Sequence, residues 1–445
     1  MNVTNRDIIV ALATPPFKSA LSLIRCSGDG IFELINSVFS KEIGPISEKE
    51  MVYGKIIDNG QTIDEVMLFM YPKHSSVTGE DVVEITCHGS MLIANEIISL
   101  LISKGARYAT KGEFTARSFF NGKTDLIKAE AVNDLINATT KEAKNITLMA
   151  LSGESSNLIK PLKKEIADLL SLIEVNIDYP EYTDLEEANE DKIVSTVTMI
   201  QEKVLNILTQ GKAAKVIKEG VNVAIVGKPN AGKSSLLNAL LDEDKAIVTD
   251  IPGTTRDIVE GDVSIGGVVY HLLDTAGIRE SGETIEEIGI KKSKEAIDKA
   301  DIVIVVIDGS KGITKEDQEI IDLADKEKTI IVMNKSDIAE NSSDFVKISA
   351  KNKDISSLIE KMKEMLSLEE KNFTTPSLSN ERQITLLKKI DGLLSDAKRD
   401  SLYGAPIDLV SASLLSAYRC CEELLGENKS LDLTDEIFSR FCVGK

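Results

Sequence analysis

The stretch Gly227-Lys228-Pro229-Asn230-Ala231-Gly232-Lys233-Ser234 restricts the possible folds of this chain more than any other part of the sequence. It matches the pattern G-x4-G-K-[S/T], in which glycines allow several backbone N–H groups to face one anion. The mostly apolar residues 222–226 predict a buried strand before the stretch, and residues 235–240 predict a helix after it. Because a helix N-terminus carries partial positive charge, this strand-loop-helix order predicts a phosphate-binding loop in an α/β sheet.

Two side chains of this loop have predicted roles in nucleotide binding. Lys233 would reach the β- and γ-phosphates, and the hydroxyl of Ser234 would bind Mg²⁺. After an apolar stretch at 268–273, Asp274-Thr275-Ala276-Gly277 fits the pattern D-x-x-G. Its aspartate would anchor the Mg²⁺ shell, and the N–H of its glycine would sense the γ-phosphate. The segment 249–257 is the expected first switch, where Thr255 is placed to complete the Mg²⁺ sphere.

The base is predicted from two later motifs. Asn334-Lys335-Ser336-Asp337 follows an apolar stretch and fits the pattern N-K-x-D. The carboxylate of Asp337 can accept two hydrogen bonds from guanine, whereas adenine offers no such pair of donors. Ser349-Ala350-Lys351 fits the last loop that contacts guanine. In this order the motifs predict a P-loop domain that binds and hydrolyses GTP rather than ATP.

The group that orients the attacking water is not evident from the motifs. Ile278 follows the D-x-x-G glycine, at the place where Ras-type proteins carry a water-positioning glutamine. Its side chain has no polar atoms and cannot orient water. The side-chain oxygen of Asn230, with carbonyl groups of the first switch, could coordinate a monovalent cation that supplies charge near the breaking bond. From residue chemistry alone, an equally good interpretation is that Asn230 merely caps the loop.

Composition limits the class of protein. At 445 residues the chain is expected to contain about two to four domains. The net charge of -20 argues against a generally basic nucleic-acid binder, although a local basic face or a basic partner is compatible with it. Five cysteines without a C-x-x-C pair, and three histidines, provide no zinc-ligand spacing. No membrane span is expected, and the N-terminus lacks a signal-peptide pattern, so a cytoplasmic protein is predicted.

Periodicity divides the chain into four segments. Residues 1–121 show strand patterns at 8–13, 20–25, 51–57, 65–71 and 82–87 and helix patterns at 30–39 and 90–104, which predicts an α+β domain. Residues 122–219 and 371–445 have a helical period, with a stripe that includes Leu162, Ile166 and Leu169. Residues 220–370 alternate strands and helices, as a doubly wound parallel sheet does. The predicted fold is multidomain α+β, with an α/β P-loop GTPase domain inserted into a helical domain.

Beyond the nucleotide motifs, several stretches resemble the MnmE (TrmE) family of tRNA modification GTPases, and the resemblance covers essentially the full chain. These stretches are Thr78-Gly79-Glu80-Asp81-Val82-Val83-Glu84, Cys87-His88-Gly89, Gly112-Glu113-Phe114-Thr115-Ala116-Arg117, Asn121-Gly122-Lys123-Thr124-Asp125-Leu126, Ala129-Glu130-Ala131-Val132 and Phe441-Cys442-Val443-Gly444-Lys445. A prenylation box fits the last of these poorly, because glycine precedes a terminal lysine.

The resemblance implies a role for the N-terminal segment. Residues 1–121 would bind a 5-formyl- or methylene-tetrahydrofolate and mediate constitutive dimerisation. Arg25, Glu84 and Lys123 match the folate-contacting positions of the family, and Lys445 would reach the same site. Cys442 matches the terminal thiol of the family and is a candidate catalytic residue.

The resemblance also implies how hydrolysis occurs. K⁺ would bind at Asn230, Thr249, Ile251 and Thr254, the GTPase domains would dimerise across the nucleotide, and Glu286 would orient water. With Lys233 and Cys442, Glu286 completes the predicted catalytic residues. The residues predicted to contact the nucleotide or its cations are Asn230, Ala231, Gly232, Lys233, Ser234, Ser235, Thr249, Asp250, Ile251, Pro252, Gly253, Thr254, Thr255, Asp274, Thr275, Ala276, Gly277, Asn334, Lys335, Asp337, Ser349, Ala350 and Lys351.

Members of this family act with the FAD-containing protein MnmG in a heterotetramer. The resemblance therefore implies modification of carbon 5 of the wobble uridine in certain tRNAs, with a tetrahydrofolate one-carbon unit and glycine or ammonium. One alternative is an Era-like ribosome-assembly GTPase that binds RNA directly. The terminal Cys-Val-Gly-Lys, the acidic charge and the lack of a basic C-terminal module argue against it. Another alternative is a folate-dependent one-carbon enzyme that GTP merely gates.

Overall fold

The structure is a computed structural model that describes residues 7–178, 188–242, 259–273, 296–338, 345–428, 437–439, 441 and 443–444. The chain divides into two compact units. The first unit contains residues 1–136, 150–200 and 392–445, and the second contains residues 137–149 and 201–391. None of the helices in the described ranges combines the length and the apolar composition that crossing a membrane requires.

The first unit is built on a mixed sheet. Its described strands are β1 (Ile9–Leu12), β2 (Leu21–Ser27), β3 (Glu50–Asp58), β4 (Gln61–Tyr71), β5 (Val82–His88) and β6 (Arg107–Tyr108), in the order β3-β4-β5-β2-β1-β6. The pair β1–β6 is parallel and the other pairs are antiparallel. Helices α1 (Ile31–Asn36) and α2 (Met91–Ser103) pack on the face where alternate residues of β4 are buried. The predicted α+β arrangement is confirmed. Strand β6 was not among the strands predicted from the sequence.

A series of helices follows this sheet. They are α3 (Glu113–Phe120), α4 (Leu126–Asn137), α5 (Lys141–Ser152), α6 (Ser156–Asp178) and α7 (Glu190–Glu219). The predicted apolar stripe on α6 is confirmed, because Leu162, Ile166 and Leu169 are buried. Residues with this spacing lie on one face of a helix and favour packing of that face against another element.

The second unit carries the P-loop sheet. Its described strands are β7 (Val221–Val226), β8 (Val259–Ile265), β9 (Val268–Leu273), β10 (Ile302–Asp308), β11 (Thr329–Asn334) and β12 (Val346–Lys347), in the order β12-β11-β10-β7-β9-β8. The predicted parallel sheet is confirmed for all pairs except β8–β9. These two strands are antiparallel because Gly266-Gly267, with φ 62° and 86°, joins them in a two-residue turn.

Helices lie on both faces of the second sheet. They include α8 (Lys233–Leu241), α9 (Lys315–Leu323) and α10 (Ser356–Leu366). Leu236 of α8 and Leu358 of α10 belong to the buried cluster on one face, whereas Ile320 of α9 packs against the cluster on the other. Because both faces are covered, the central strands β7 and β10 are almost entirely apolar.

Two long helices follow the second sheet. They are α11 (Glu381–Leu402) and α12 (Ile407–Leu425). Within the first unit, α12 packs along α6. Val410, Leu414 and Ala417 form the buried stripe of α12. The helical period predicted for the C-terminal segment is thereby confirmed.

Candidate nucleotide-binding site

The phosphate loop follows β7, which lies between β9 and β10. Ligands of doubly wound sheets bind at such a reversal of strand order. Gly227 has φ 147°, and an added Cβ would lie 2.3 Å from the carbonyl oxygen of Val306 on β10. Gly232 has φ 101°, and its Cβ would lie 2.1 Å from Nδ2 of Asn334. Glycine is therefore required at both positions. Asn230 adopts φ 64°, a left-handed conformation that asparagine tolerates, and is exposed.

Lys233 begins α8, and its side chain folds back over the loop. Its Nζ donates hydrogen bonds to the carbonyl oxygens of Gly227 at 2.7 Å and Lys228 at 2.9 Å. Ser234 and Ser235 are exposed in the first turn of the helix. An ammonium group and a hydroxyl thus lie at a helix N-terminus, where a phosphate and its Mg²⁺ bind favourably.

Asn334 joins the phosphate loop to the last guanine loop. Asn334 is the last residue of β11, and it is only 3% exposed. Its Nδ2 donates to the carbonyl oxygen of Ala231 at 2.9 Å, and its Oδ1 accepts from the backbone N–H of Ala350 at 3.0 Å. A single buried amide therefore satisfies backbone groups of two loops, and the position of each loop depends on it.

Lys335 contacts the phosphate loop at a second point. Its Nζ donates to the carbonyl oxygen of Asn230 at 3.2 Å and to Oδ2 of Asp308 at 2.6 Å. Burial disfavours the charged form of Asp308, but hydrogen bonds from Lys335 and Ser310 lower the pKa of Asp308 to about 2. Sequence reasoning missed Asp308. The available signal was an acidic residue at the end of the apolar strand β10, beside the loops that follow the parallel strands.

Asp337 and Ser349, which belong to the two guanine motifs, are in direct contact. The hydroxyl of Ser349 donates to Oδ1 of Asp337 at 2.8 Å. Asp337 is exposed, whereas Ser349 and Ala350 are buried and Lys351 is exposed again. Ser349 therefore orients the carboxylate that is predicted to bind the base.

Some predicted site residues lie outside the described residues. They are Thr249, Asp250, Ile251, Pro252, Gly253, Thr254, Thr255, Asp274, Thr275, Ala276, Gly277, Glu286, Cys442 and Lys445. The first switch, the D-x-x-G motif, the water-orienting glutamate and the terminal thiol stay predictions.

The candidate folate residues of the first unit are partly brought together. Arg25 on β2 faces Glu84 on β5, and its Nε donates to Oε1 of Glu84 at 2.8 Å. Nη1 of Arg25 donates to the carbonyl oxygen of Gly444 at 3.0 Å, so the chain end meets this pair. Lys123 has a separate contact, because its Nζ donates to the carbonyl oxygen of His74 at 2.9 Å.

A buried charged cluster occupies the first unit and includes residues from the stretches that carry the family resemblance. Arg117 is fully buried, and its guanidinium pairs with Asp7 at 2.8 Å, Glu80 at 2.9 Å and Glu113 at 3.1 Å. Glu113 also accepts hydrogen bonds from Arg107. Burial disfavours the charged form of Glu113, but the bonds from Arg107 lower its pKa to about 2. Glu80, Glu113 and Arg117 thus have a structural role in this cluster.

Comparisons with known proteins agree with this architecture. A family model described as "MnmE helical domain" matches residues 126–442, and one described as "GTP-binding protein TrmE N-terminus" matches residues 8–123. The tRNA modification GTPase MnmE of Lactococcus lactis subsp. cremoris is 39% identical over 450 residues, which cover 99% of this chain and 98% of that protein. The chain belongs to the MnmE family. As a member of the MnmE family it is a GTP hydrolase with a multidomain α+β fold, and the predicted enzyme class is confirmed.

A further relative has similar coverage. The tRNA modification GTPase MnmE of Lacticaseibacillus paracasei is 40% identical over 460 residues, which cover 100% of this chain and 99% of that protein. A crystal structure of an Aquifex aeolicus Era variant bound to GDP and AlF4⁻ is 28% identical and covers 39% of this chain and 66% of its own. Its TM-score of 0.26 is too low to relate the two folds.

Proposed function

We propose that this chain performs a K⁺-stimulated cycle of GTP hydrolysis that drives modification of carbon 5 of the wobble uridine in certain tRNAs. The observation that carries the proposal is the convergence of three elements on one site. They are the phosphate loop with Lys233, the Asn334 clamp and the Asp337 carboxylate oriented by Ser349. Identity along the full length to proteins named tRNA modification GTPase supports the tRNA substrate.

In the proposed cycle, each described residue acts on a defined part of GTP. Lys233 binds the β- and γ-phosphates, and Asp337 accepts hydrogen bonds from guanine. The exposed hydroxyl of Ser234 fits Mg²⁺, which prefers oxygen ligands. The exposed side chain of Asn230 offers an oxygen that fits K⁺. When bound, these cations supply positive charge against the phosphate oxygens.

Other residues complete the proposed site. Thr249, Ile251 and Thr254 would join Asn230 at K⁺, and Thr255 and Asp274 would complete the Mg²⁺ shell. Glu286 would orient the attacking water. The GTPase domains of two protomers would meet across the nucleotide, so that hydrolysis depends on the dimer.

In this proposal, each of the four segments predicted from the sequence has its own function. Residues 1–121 would bind a 5-formyl- or methylene-tetrahydrofolate and dimerise, residues 122–219 and 371–445 would form the helical domain, and residues 220–370 would hydrolyse GTP. The Arg25–Glu84 pair, which the carbonyl of Gly444 joins, supports a polar ligand site. Lys123, Lys445 and Cys442 would contribute to that site.

The proposed assembly acts on tRNA in the cytoplasm. A homodimer would combine with the FAD-containing MnmG protein in a heterotetramer. The amine would come from glycine or ammonium and the one-carbon unit from the tetrahydrofolate. In this scheme, Cys442 is a candidate nucleophile.

The pathway is tested by mass-spectrometric nucleoside analysis of tRNA from cells with and without this protein. Loss of a 5-aminomethyl- or 5-carboxymethylaminomethyl-type uridine is expected. Restoration by the wild-type chain, but not by the Lys233→Ala variant, would tie the modification to nucleotide binding. An unchanged nucleoside profile would overturn the proposal and favour the ribosome-assembly alternative.

The cation is tested separately in purified protein. GTP hydrolysis should be faster in K⁺ than in Na⁺ at equal ionic strength, and Asn230→Ala should abolish the difference. The exposed Asn238 on α8 offers a matched control, because Asn238→Ala should keep the K⁺ dependence. Equal rates in both salts for the wild-type protein would contradict the K⁺ mechanism.

A further inference from the structure

Lys228, the second residue of the phosphate loop, is tied to the start of α9. Its Nζ lies 3.1 Å from Oδ2 of Asp317 and 3.4 Å from Oε2 of Glu316. It also donates a hydrogen bond to the hydroxyl of Thr314. The side chain of Asp317 is 3% exposed and that of Glu316 is 74% exposed. Asp317 is therefore the stronger partner, because water screens the charge of a buried carboxylate less than that of an exposed one.

The helix sets the position of Asp317. Its Oδ2 accepts hydrogen bonds from the backbone N–H of Thr314 at 2.9 Å and from the hydroxyl of Thr314 at 2.8 Å. These contacts belong to a capping box at the N-terminus of α9. The partial positive charge of that helix end further stabilises the carboxylate. Lys228 thus pairs with an acceptor that does not move with the loop.

The backbone of Lys228 in turn holds the lysine that binds phosphate. Nζ of Lys233 donates to the carbonyl oxygen of Lys228 at 2.9 Å and to that of Gly227 at 2.7 Å. Gly227 is pressed against the backbone of Val306, where an added Cβ would lie 2.3 Å from the carbonyl oxygen. The two carbonyl acceptors of Lys233 are therefore anchored by β10 at one residue and by α9 at the next.

We propose that the Lys228–Asp317 ion pair is a brace that positions Lys233 for GTP hydrolysis, an inference that rests on the proposed hydrolysis cycle. Lys228 is a positioning residue, because it acts through the backbone of the loop and not by contact with phosphate. Without the pair, the carbonyl of Lys228 loses its anchor to α9, and Lys233 is presented to the phosphates less accurately. A displacement of about 1 Å in a group that positions the reacting atoms can lower the rate of the chemical step about 100-fold.

The test compares Lys228→Met, Asp317→Asn and the double variant in GTP hydrolysis assays with full-length protein in K⁺ and Mg²⁺. Asparagine retains a hydrogen-bond acceptor for Thr314, so Asp317→Asn removes the charge and keeps the cap. Each single variant is expected to lower kcat about tenfold, with KM changed less than about threefold. The double variant should be no slower than either single variant, because both remove the same interaction. Lys228→Arg should keep most of kcat, because arginine can also pair with the carboxylate.

A matched control lies on α10. Lys361 pairs with Glu364 at 2.9 Å on the exposed face of that helix. Lys361→Met therefore makes the same substitution at a solvent-exposed pair away from the loop. It should leave kcat and KM unchanged. The thermal unfolding temperature of each variant shows whether a lower kcat comes from loss of the fold or from loss of positioning. If Lys228→Met does not fold, Asp317→Asn still tests the brace.

Several results would overturn the inference. If Lys228 contacted phosphate directly, Lys228→Met would raise KM while Asp317→Asn left it unchanged. If the pair were merely structural, the unfolding temperature would fall and kcat would be retained. Additive losses in the double variant would show two separate effects. A wild-type protein that does not hydrolyse GTP would overturn the proposed hydrolysis cycle and this inference with it, whereas wild-type activity with unaffected variants would overturn the inference alone.

Discussion

The nucleotide loops of the second unit and the charged cluster of the first unit both lie beside sheets, but different atoms carry their contacts. In the nucleotide site, side chains such as Asn334 and Lys335 bond to backbone carbonyl and N–H groups of neighbouring loops. In the first unit, Arg117 pairs with carboxylates of Asp7, Glu80 and Glu113. Loss of one backbone clamp loosens a loop, whereas loss of one buried charge leaves the opposite charges without compensation. Loss of a backbone clamp should therefore lower the affinity for nucleotide, and loss of a buried charge should lower the free energy of unfolding.

The largest effect that would separate the two regions is expected for Arg117→Leu. Removal of this buried guanidinium takes the ion pair away from Glu80, while Arg107 still pairs with Asp7 and Glu113. The unpaired buried charge should lower the free energy of unfolding by about 3–5 kcal/mol. Urea unfolding of the first unit, monitored by circular dichroism, would measure it. Arg399 provides the control, since it is exposed and pairs with Asp396 and Asp400, and Arg399→Leu should lower the free energy of unfolding far less than Arg117→Leu. If both variants lowered the free energy of unfolding equally, the cluster around Arg117 would have no special role in stability.

The next effect is expected for Asn334→Ala. This change removes the clamp between Ala231 and Ala350 and leaves two backbone groups without their partner. Affinity for guanine nucleotides should fall about 10- to 100-fold, with a smaller change in unfolding free energy than for Arg117→Leu. Titration with a fluorescent GDP analogue would measure affinity. If the variant had a lower free energy of unfolding but an unchanged affinity for nucleotide, the assignment of Asn334 to nucleotide binding would be contradicted.

A smaller effect is expected for Gly444→Ala. Gly444 has φ 92°, and an added Cβ would lie 2.6 Å from the carbonyl oxygen of Leu12. Residue 444 should move away from Arg25, which would weaken the proposed tetrahydrofolate binding several-fold without changing nucleotide affinity. Calorimetric titrations with both ligands would compare the two sites. The exposed Gly404 provides the control, because it also has a positive φ of 64° but an added Cβ would meet no atom within 4 Å. Gly404→Ala therefore tests the effect of backbone strain without a steric clash. An equal effect of both substitutions on folate binding would contradict the docking role.

The smallest expected effect is a shared response to acid. Hydrogen bonds from basic groups lower the pKa of Glu113 and of Asp308 to about 2, below their ordinary values of 4.5 and 3.8. Because the folded-state pKa is lowered, this stabilisation is present above the ordinary value and is lost as pH falls toward about 2. Glu113→Gln and Asp308→Asn should each reduce the loss of unfolding free energy between about pH 6 and pH 3. A pH dependence identical to wild type in both variants would exclude these two carboxyls as its source.

The sequence predicted the nucleotide site in greater detail than the first unit for a physical reason. A phosphate loop is a continuous segment whose glycines and helix start are readable from residue order. The guanine motifs follow apolar strands, and parallel strands end at the same edge of the sheet. The cluster around Arg117 joins residues separated by up to 110 positions, and the contact of Asp7 with Arg117 has no signal in local sequence. The same limit hid Asp317 as a partner of Lys228 in the phosphate loop.

The amino-acid sequence by itself determined the family, the class of nucleotide and the helical and strand periods. These depend on contiguous motifs and on local hydrophobic spacing. Tertiary structure alone decided that Ser349 orients Asp337. It also decided that Arg25 meets Gly444, whose positions differ by 419 residues. Such contacts arise when strand register and loop packing bring distant residues within about 3 Å, and no local preference encodes that distance.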